Sequence, residues 1–259
     1  MYFVRVKRKW SGILFVIAVL FIAMENKFEI VHSEGLSGSK KAEIFVVTKR
    51  SDKYGDDIIR YTKDGLITSI YSNIDYDYTY DSKGNLTECI PDHLYSDAVH
   101  LEYKNNKISI LREGSQEYTF KYKDGKIVKI IDRSDGYTKR KIKYDKNGRM
   151  KECNMVGEME GNFSFSWDKN GNHKSVHYSY RLMEVDYTFK NTYDKQKCLK
   201  KQVVLQQNEL YDTLKYRYKK IKVPQKYLSR IKRQQWTLIN ADYYCVLGGK
   251  YLAEGGLFN

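Results

Sequence analysis

The side chains whose types and spacing could do chemistry in this chain are two histidines, a set of turn aspartates and four cysteines. His173 and His177 stand four apart, the spacing of two metal ligands on one helical face. Their surroundings alternate as a strand, however, where four residues span roughly 13 Å, too far to share an ion. Asp145 and Asp168 open Asp-x-Asn-Gly turns similar to calcium loops. No Glu stands twelfth in either loop, and Asp or Asn before Gly is what a tight turn needs by itself. Cys89, Cys153, Cys198 and Cys245 permit two disulfides in any of three connectivities, although their wide spacing suits free buried thiols equally well. There is no Cys-x-x-Cys pair, nucleophile elbow, His-Glu-x-x-His motif or Gly-rich phosphate loop. The sequence therefore assigns no catalytic, cofactor-binding or metal-binding residue and weighs against an enzyme. Paired carboxylates among the many Asp and Glu leave an exported hydrolase as the alternative.

The elements that would position such residues come from an internal repeat. An aromatic residue, a polar turn and an aliphatic residue recur, with anchors at Tyr61, Tyr80, Tyr103, Tyr122, Tyr144, Trp167, Tyr193 and, most degenerate, Tyr218. Two-residue turns at Asn105-Asn106 and Asp124-Gly125 suit type I′ geometry and place the aliphatic five residues after the anchor. Three-residue loops ending at Gly65, Gly84 and Gly148 suit a type I turn with a left-handed Gly bulge and place it six residues after. One extra loop residue is thus matched by one extra residue of spacing, which keeps Tyr61 opposite Ile67, Tyr80 opposite Leu86 and Tyr144 opposite Met150. About eight hairpins give around sixteen strands, too many for an ordinary open sheet. The expected fold is all-β: antiparallel hairpin repeats in a long sheet, curled or spiral or drawn towards closure, with a C-terminal helix as cap. Cys89 and Cys153, both nine residues after an anchor, would lie roughly 29 Å apart in the unrolled sheet, so a bond between them requires closure.

The pattern Tyr-Asp-x-x-Gly followed by Asn or Arg and then Leu or Met, clearest at Tyr80 to Leu86 and Tyr144 to Met150, resembles the YD repeats of the Rhs family. The resemblance covers residues 54 to 220 and implies β-hairpin strips wound into a shell in exported or surface-associated proteins. The chain is short, irregularly spaced and has no toxin domain after the repeats, so encapsulation of a toxic cargo is not implied. A non-catalytic Rhs-like scaffold or spacer is the corresponding function.

The rest of the chain supplies an address and a cap. Arg5, Lys7, Arg8 and Lys9 precede an uncharged run from Ile13 to Met24, the layout of a secretory signal over residues 1–33 with cleavage after Ser33 or, alternatively, Gly35. An uncleaved segment would instead contact the membrane. Residues 34–53 read as a linker and first strand, 54–223 as the repeats and 224–259 as a helical cap and tail. The helix is expected over Gln225 to Val246, with Tyr227, Leu228, Ile231, Trp236 and Leu238 at helical spacing. Removing residues 1–33 leaves 41 Lys and Arg against 30 Asp and Glu, a net +11 on a surface rich in the chain's 24 tyrosines. Such a surface attracts anions. An exported cell-envelope or secreted binding or structural module is the leading expectation, with anionic envelope polymer, glycan or protein as partner and nucleic acid unsuited to that compartment.

Overall fold

The computed structural model describes residues 40–240, apart from 73, 93–96, 134–135, 137–138, 157–159 and 181–182. The expected signal segment, Cys245 and the end of the expected cap lie outside the described residues. Among these residues sixteen strands run in chain order: β1 (Lys41–Asp52), β2 (Gly55–Tyr61), β3 (Ile67–Tyr71), β4 (Tyr76–Tyr80), β5 (Leu86–Pro91), β6 (Val99–Lys104), β7 (Lys107–Glu113) and β8 (Gln116–Lys123). They continue with β9 (Lys126–Asp132), β10 (Lys139–Tyr144), β11 (Met150–Val156), β12 (Gly161–Trp167), β13 (His173–Tyr180), β14 (Met183–Tyr193), β15 (Leu199–Gln206) and β16 (Glu209–Pro224). Every strand pairs antiparallel with its chain neighbours, and β16 pairs with β1, so the sheet is a closed barrel.

The anchor pairs fall in register as their spacing requires. Tyr61 faces Ile67, Tyr80 faces Leu86, Tyr103 faces Ile108, Tyr122 faces Ile127 and Tyr144 faces Met150, each where the register shifts at a bulge. Trp167 with His173 and Tyr193 with Leu199 continue the series. Tyr218 has its partner at the other end of the described chain: it faces Val47 of β1, next to the bulge between Val47 and Lys49. The eighth repeat is therefore split between the two terminal strands.

That split corrects the expectation of a curled or spiral sheet, and with it the winding implied by the YD-repeat resemblance. The strip is a ring, because its last repeat can be completed only by its first strand. A second interaction ties the ring together. At each bulge the carbonyl of the aliphatic residue accepts a hydrogen bond from the next repeat's anchor: Tyr80 hydroxyl to Ile67 (2.7 Å), Tyr103 to Leu86 (2.8 Å), Tyr122 to Ile108 (2.9 Å), Tyr144 to Ile127 (2.5 Å), Trp167 Nε1 to Met150 (2.9 Å) and Tyr218 to Leu199 (2.9 Å). Tyr61 donates to Val47 of β1 in the same way, which brings the split repeat into the series. Only the seventh anchor departs: Tyr193 gives its proton to Asp168, and Asn191 Nδ2 bonds the His173 carbonyl instead (2.9 Å).

The aspartate after the anchor has a local task. Asp81 Oδ1 accepts from the backbone N–H of Lys83 and Asn85, and Asp145, Asp168 and Asp194 repeat the arrangement in their own turns. In the first repeat Thr62 Oγ1 stands in for it. These are the Asx and hydroxyl turns that such residues favour.

After a 3-10 turn over Gln225–Tyr227, helix α1 (Leu228–Asn240) plugs the end of the barrel where these turns lie. Its buried face is strongly polar. Gln235 Oε1 accepts from Val47 N (2.6 Å), Gln234 Oε1 from Ile67 N (3.2 Å) and Asn240 Oδ1 from His173 N (3.1 Å), so the helix amides take N–H groups at three bulges. Gln234 Nε2 also donates to the Tyr80 hydroxyl at 2.9 Å. The late carbonyls of Leu238 and Ile239, which a helix end leaves without internal partners, accept from Arg50 and Tyr216 (both 3.3 Å).

Two substitutions test this architecture. Tyr103→Phe keeps the ring but strands the Leu86 carbonyl, and chemical denaturation should register a loss of about 1–3 kcal/mol. Gly84, at φ +78°, has Arg230 Nη1 at 2.6 Å and Tyr227 Cε1 at 2.9 Å from where a Cβ would stand. Gly84→Val should therefore lower the melting temperature far more than Lys83→Ala in the same turn; equal shifts would refute the turn assignment.

Candidate functional site: the charged wall and the filled interior

Inward-facing side chains merge into one apolar cluster, from Val47 on β1 through Tyr118, Ile130, Phe163 and Val176 to Tyr216 on β16. A ring of sixteen strands is wide enough to hold an aqueous channel. Here aromatic rings and the helix occupy that space, and Val47, Tyr118, Ile130, Phe163 and Val176 are fully excluded from water.

The outer wall has the opposite character. Lys121 on β8 lies directly opposite Lys129 on β9, which lies directly opposite Lys141 on β10. The three Cα positions span two strand spacings, roughly 10 Å. Like charges directly opposite on one sheet face are destabilising, so each of these pairings works against strand stability. Lys123 and Lys126 form a further lysine pair beside the same turn. On the far side of the barrel Lys201 faces Lys215, and Lys49 faces Arg217. Carboxylates stand among these cations: Lys49 pairs with Asp56 at 2.6 Å, and the nearby Lys143 with Glu152 at 2.8 Å.

The residues first considered for chemistry are dispersed. His173 is fully buried on the inner wall, in the slot that an aliphatic residue fills in the other repeats. It stacks on Trp167 (4.6 Å between centroids), and its Nε2 lies 3.2 Å from the Asn240 carbonyl. Burial pushes its pKa down to about 3, only partly offset by that carbonyl. His177 instead faces solvent, paired with Asp186 at 2.8 Å. Cys89, Cys153 and Cys198 are free thiols. Closure of the sheet has not joined Cys89 to Cys153. Burial pushes the Cys153 thiol up to about 12, which Arg140 only partly opposes, so it is a poor nucleophile.

Several ionisable side chains are buried towards the end of the barrel opposite the tight turns, and sequence periodicity gave no signal for them. Arg50 donates through Nε (2.8 Å) and Nη2 (2.5 Å) to Asp57 Oδ2, both side chains being buried. Arg140, fully buried, lies over the Tyr118 ring at 5.7 Å. Glu113 comes nearest to a tuned catalytic carboxyl: burial, and secondarily the neighbouring Asp97, raise its pKa to about 7. Glu113 is nevertheless shut inside the barrel while Asp97 is exposed, an arrangement without the shared cleft that a hydrolytic pair needs.

No protein-family model and no curated protein sequence matches the chain. Among solved structures, a porin-like protein from Bacteroides vulgatus is similar at TM-score 0.51 and 14% identity, over 67% of this chain and 99% of that one. A porin-like protein from Bacteroides uniformis aligns at TM-score 0.38 and 10% identity, over 67% of this chain and 98% of that one. A Tc holotoxin pore from Photorhabdus luminescens aligns at TM-score 0.30 and 13% identity, over 61% of this chain and 9% of that one. At these identities only the fold is comparable, and only the first likeness is close enough to use. It joins the closed ring in overturning the YD-repeat, Rhs-family reading: the Tyr-Asp turns are those of a closed barrel.

The buried histidine yields a prediction with a definite sign. Because its pKa falls on folding, His173 contributes stability that is fully present above about pH 6.5 and is lost as pH falls from there towards 3. His173→Met places in the slot the residue that Met150 supplies one repeat earlier. Relative to the wild type, the variant should gain about 2 kcal/mol between about pH 7 and pH 5. Parallel pH–denaturation curves for the two proteins would show that His173 does not titrate on unfolding.

Proposed function

We propose that this chain is an exported cell-envelope or secreted binding protein whose barrel works in water and holds anionic polymer against its lysine-faced wall. The observation that carries the reading is the polarity of the wall, with the Lys121, Lys129 and Lys141 row outside and the apolar cluster inside. A barrel that spans a membrane needs an apolar outward band about 25 Å tall and usually has a polar interior. This barrel is built the other way round. The porin-like description of the B. vulgatus protein and the basic, then apolar, N-terminal segment both support an envelope address, and the charged wall supports the aqueous side of that envelope. A row of ammonium groups at strand spacing matches a chain of regularly repeated carboxylates or phosphates, whose binding relieves the mutual repulsion.

The test is binding of polygalacturonate in low salt, with the triple variant Lys121→Ser, Lys129→Ser, Lys141→Ser as comparison. Three exposed contacts of roughly 0.5 kcal/mol each amount to about a tenfold loss of affinity. Added salt should weaken the wild type steeply, while the variant should melt no lower than the wild type because like charges have been removed. Wild-type binding that ignores both salt and the three substitutions would refute the proposal.

A further inference from the structure

The two most exposed large apolar side chains among the described residues, Leu210 at 70% and Tyr54 at 65%, come from neighbouring hairpins at the rim away from the helix. Leu210 opens β16 and Tyr54 lies in the β1–β2 turn, and β16 is paired to β1. Between these hairpins is an open cleft of about 320 Å³, lined by Asp52, Lys53, Leu210, Tyr211, Asp212, Thr213 and Lys215, with Tyr54 next to it in the chain but not part of the lining. That is the lower end of the size range of small-molecule sites.

The chemistry of the cleft is specific. Lys53 Nζ lies 3.6 Å from the Tyr211 ring centroid and 5.0 Å from that of Tyr54, and it donates to the Tyr211 carbonyl at 3.0 Å. Tyr211 meets Tyr187 edge-on at 5.6 Å, and Lys53 Nζ lies over the rings of both Tyr211 and Tyr54, so aromatic rings run from the core to the rim. Asp52 Oδ1 accepts from the backbone N–H of Tyr54 and Gly55, and Asp212 Oδ1 from those of Lys53 and Thr213. The two carboxylates are thereby fixed in place, and among the described residues neither Oδ2 receives a hydrogen bond. Two lysines balance two aspartates.

We propose that this rim cleft binds one ring of a neutral saccharide. A pyranose presents an apolar face of C–H groups and a rim of hydroxyls. Leu210 and Tyr211 offer the apolar surface, with Tyr54 beside the cleft, and Asp52 and Asp212 the fixed acceptors. The balanced charge separates this site from the lysine wall, which selects polyanions. Nothing in this inference rests on the wall binding its own ligand.

The experiment is saturation-transfer NMR and calorimetry on the full chain with neutral hexasaccharides: cellohexaose, maltohexaose, mannohexaose and chitohexaose. At least one should bind. Its affinity should fall at least about fivefold in Leu210→Ser, with a smaller loss in Tyr54→Ala. It should be unchanged in about 0.5 M NaCl and in the triple lysine variant. Circular dichroism melting checks that both rim variants stay folded. Failure of all four sugars to bind, or equal affinity in Leu210→Ser, would overturn the proposal. So would binding that salt or the lysine substitutions abolish, since that would place the sugar on the wall.

Discussion

The structure depends on a hydrogen bond that no repeat can make by itself. Each bulge presents a carbonyl, and in seven of the eight repeats the anchor of the following repeat donates to it. An open strip would keep these bonds, since each joins strands that are neighbours in the chain. It would, however, unpair β1 from β16 and leave Val47 and Tyr218, which pack into the core, without their cross-strand partners. Closing the ring completes the eighth repeat, as Tyr218 pairs with Val47, whose carbonyl then stands at a bulge and accepts from Tyr61 like those of the other repeats. The seam has the register of the other hairpins although it has no turn, because the same bulge recurs there. Burial raises the pKa of the Tyr61, Tyr122, Tyr144 and Tyr218 hydroxyls, so they stay protonated donors at any physiological pH.

The ladder also determines where the helix can sit. Register shifts disturb the ladder at one end of the barrel, and the groups displaced there are polar and buried. A purely apolar helix would leave the N–H groups of Val47, Ile67 and His173 without their amide partners. The helix meets them with Gln235, Gln234 and Asn240, whose side chains are buried because they complete the sheet's hydrogen bonding. Its apolar residues, Ile231 and Leu238, fill the space between. Unsatisfied buried polar groups cost about 1–3 kcal/mol each, so the amides specify one seating of the helix where apolar packing alone would permit several.

These features differ in how far the sequence reveals them. The anchor, the turn and the aliphatic residue are local, and spacing alone pairs Tyr80 with Leu86 and Tyr144 with Met150 because one extra loop residue demands one extra residue of separation. The aspartate after the anchor is equally local, since it caps its own turn. That locality explains the misleading resemblance to YD repeats: the motif encodes a hairpin, and a hairpin does not specify whether its strip winds or closes. Closure is written in the partnership of Tyr218 with Val47, which no window of sequence contains. Gln234, Gln235 and Asn240 look like the solvent face of a helix until the bulges they serve are located. His173 reads only as a strand residue too far from His177 to share an ion, whereas it occupies an aliphatic slot and is held neutral by burial. The row of Lys121, Lys129 and Lys141 emerges only when three strands and an intervening bulge are placed in register.

What the scaffold does not explain is then informative. Interior, turns, seam and helix agree with one another at every level, which is how a sequence specifies one fold. Against that consistency the lysine row and the exposed Tyr54 and Leu210 stand out, because both run against local stability and neither serves the ladder. They also differ in kind. One is a strip of like charge along the wall, suited to a long polyanion, and the other a charge-balanced concavity at the rim, suited to a single ring. A rigid closed ring can carry both without coupling them, since neither strip nor cleft includes a residue of the anchor series. The side chains of the ladder and those of the outer wall and rim are therefore separate sets, and the wall and rim can change their chemistry while the ladder beneath stays the same.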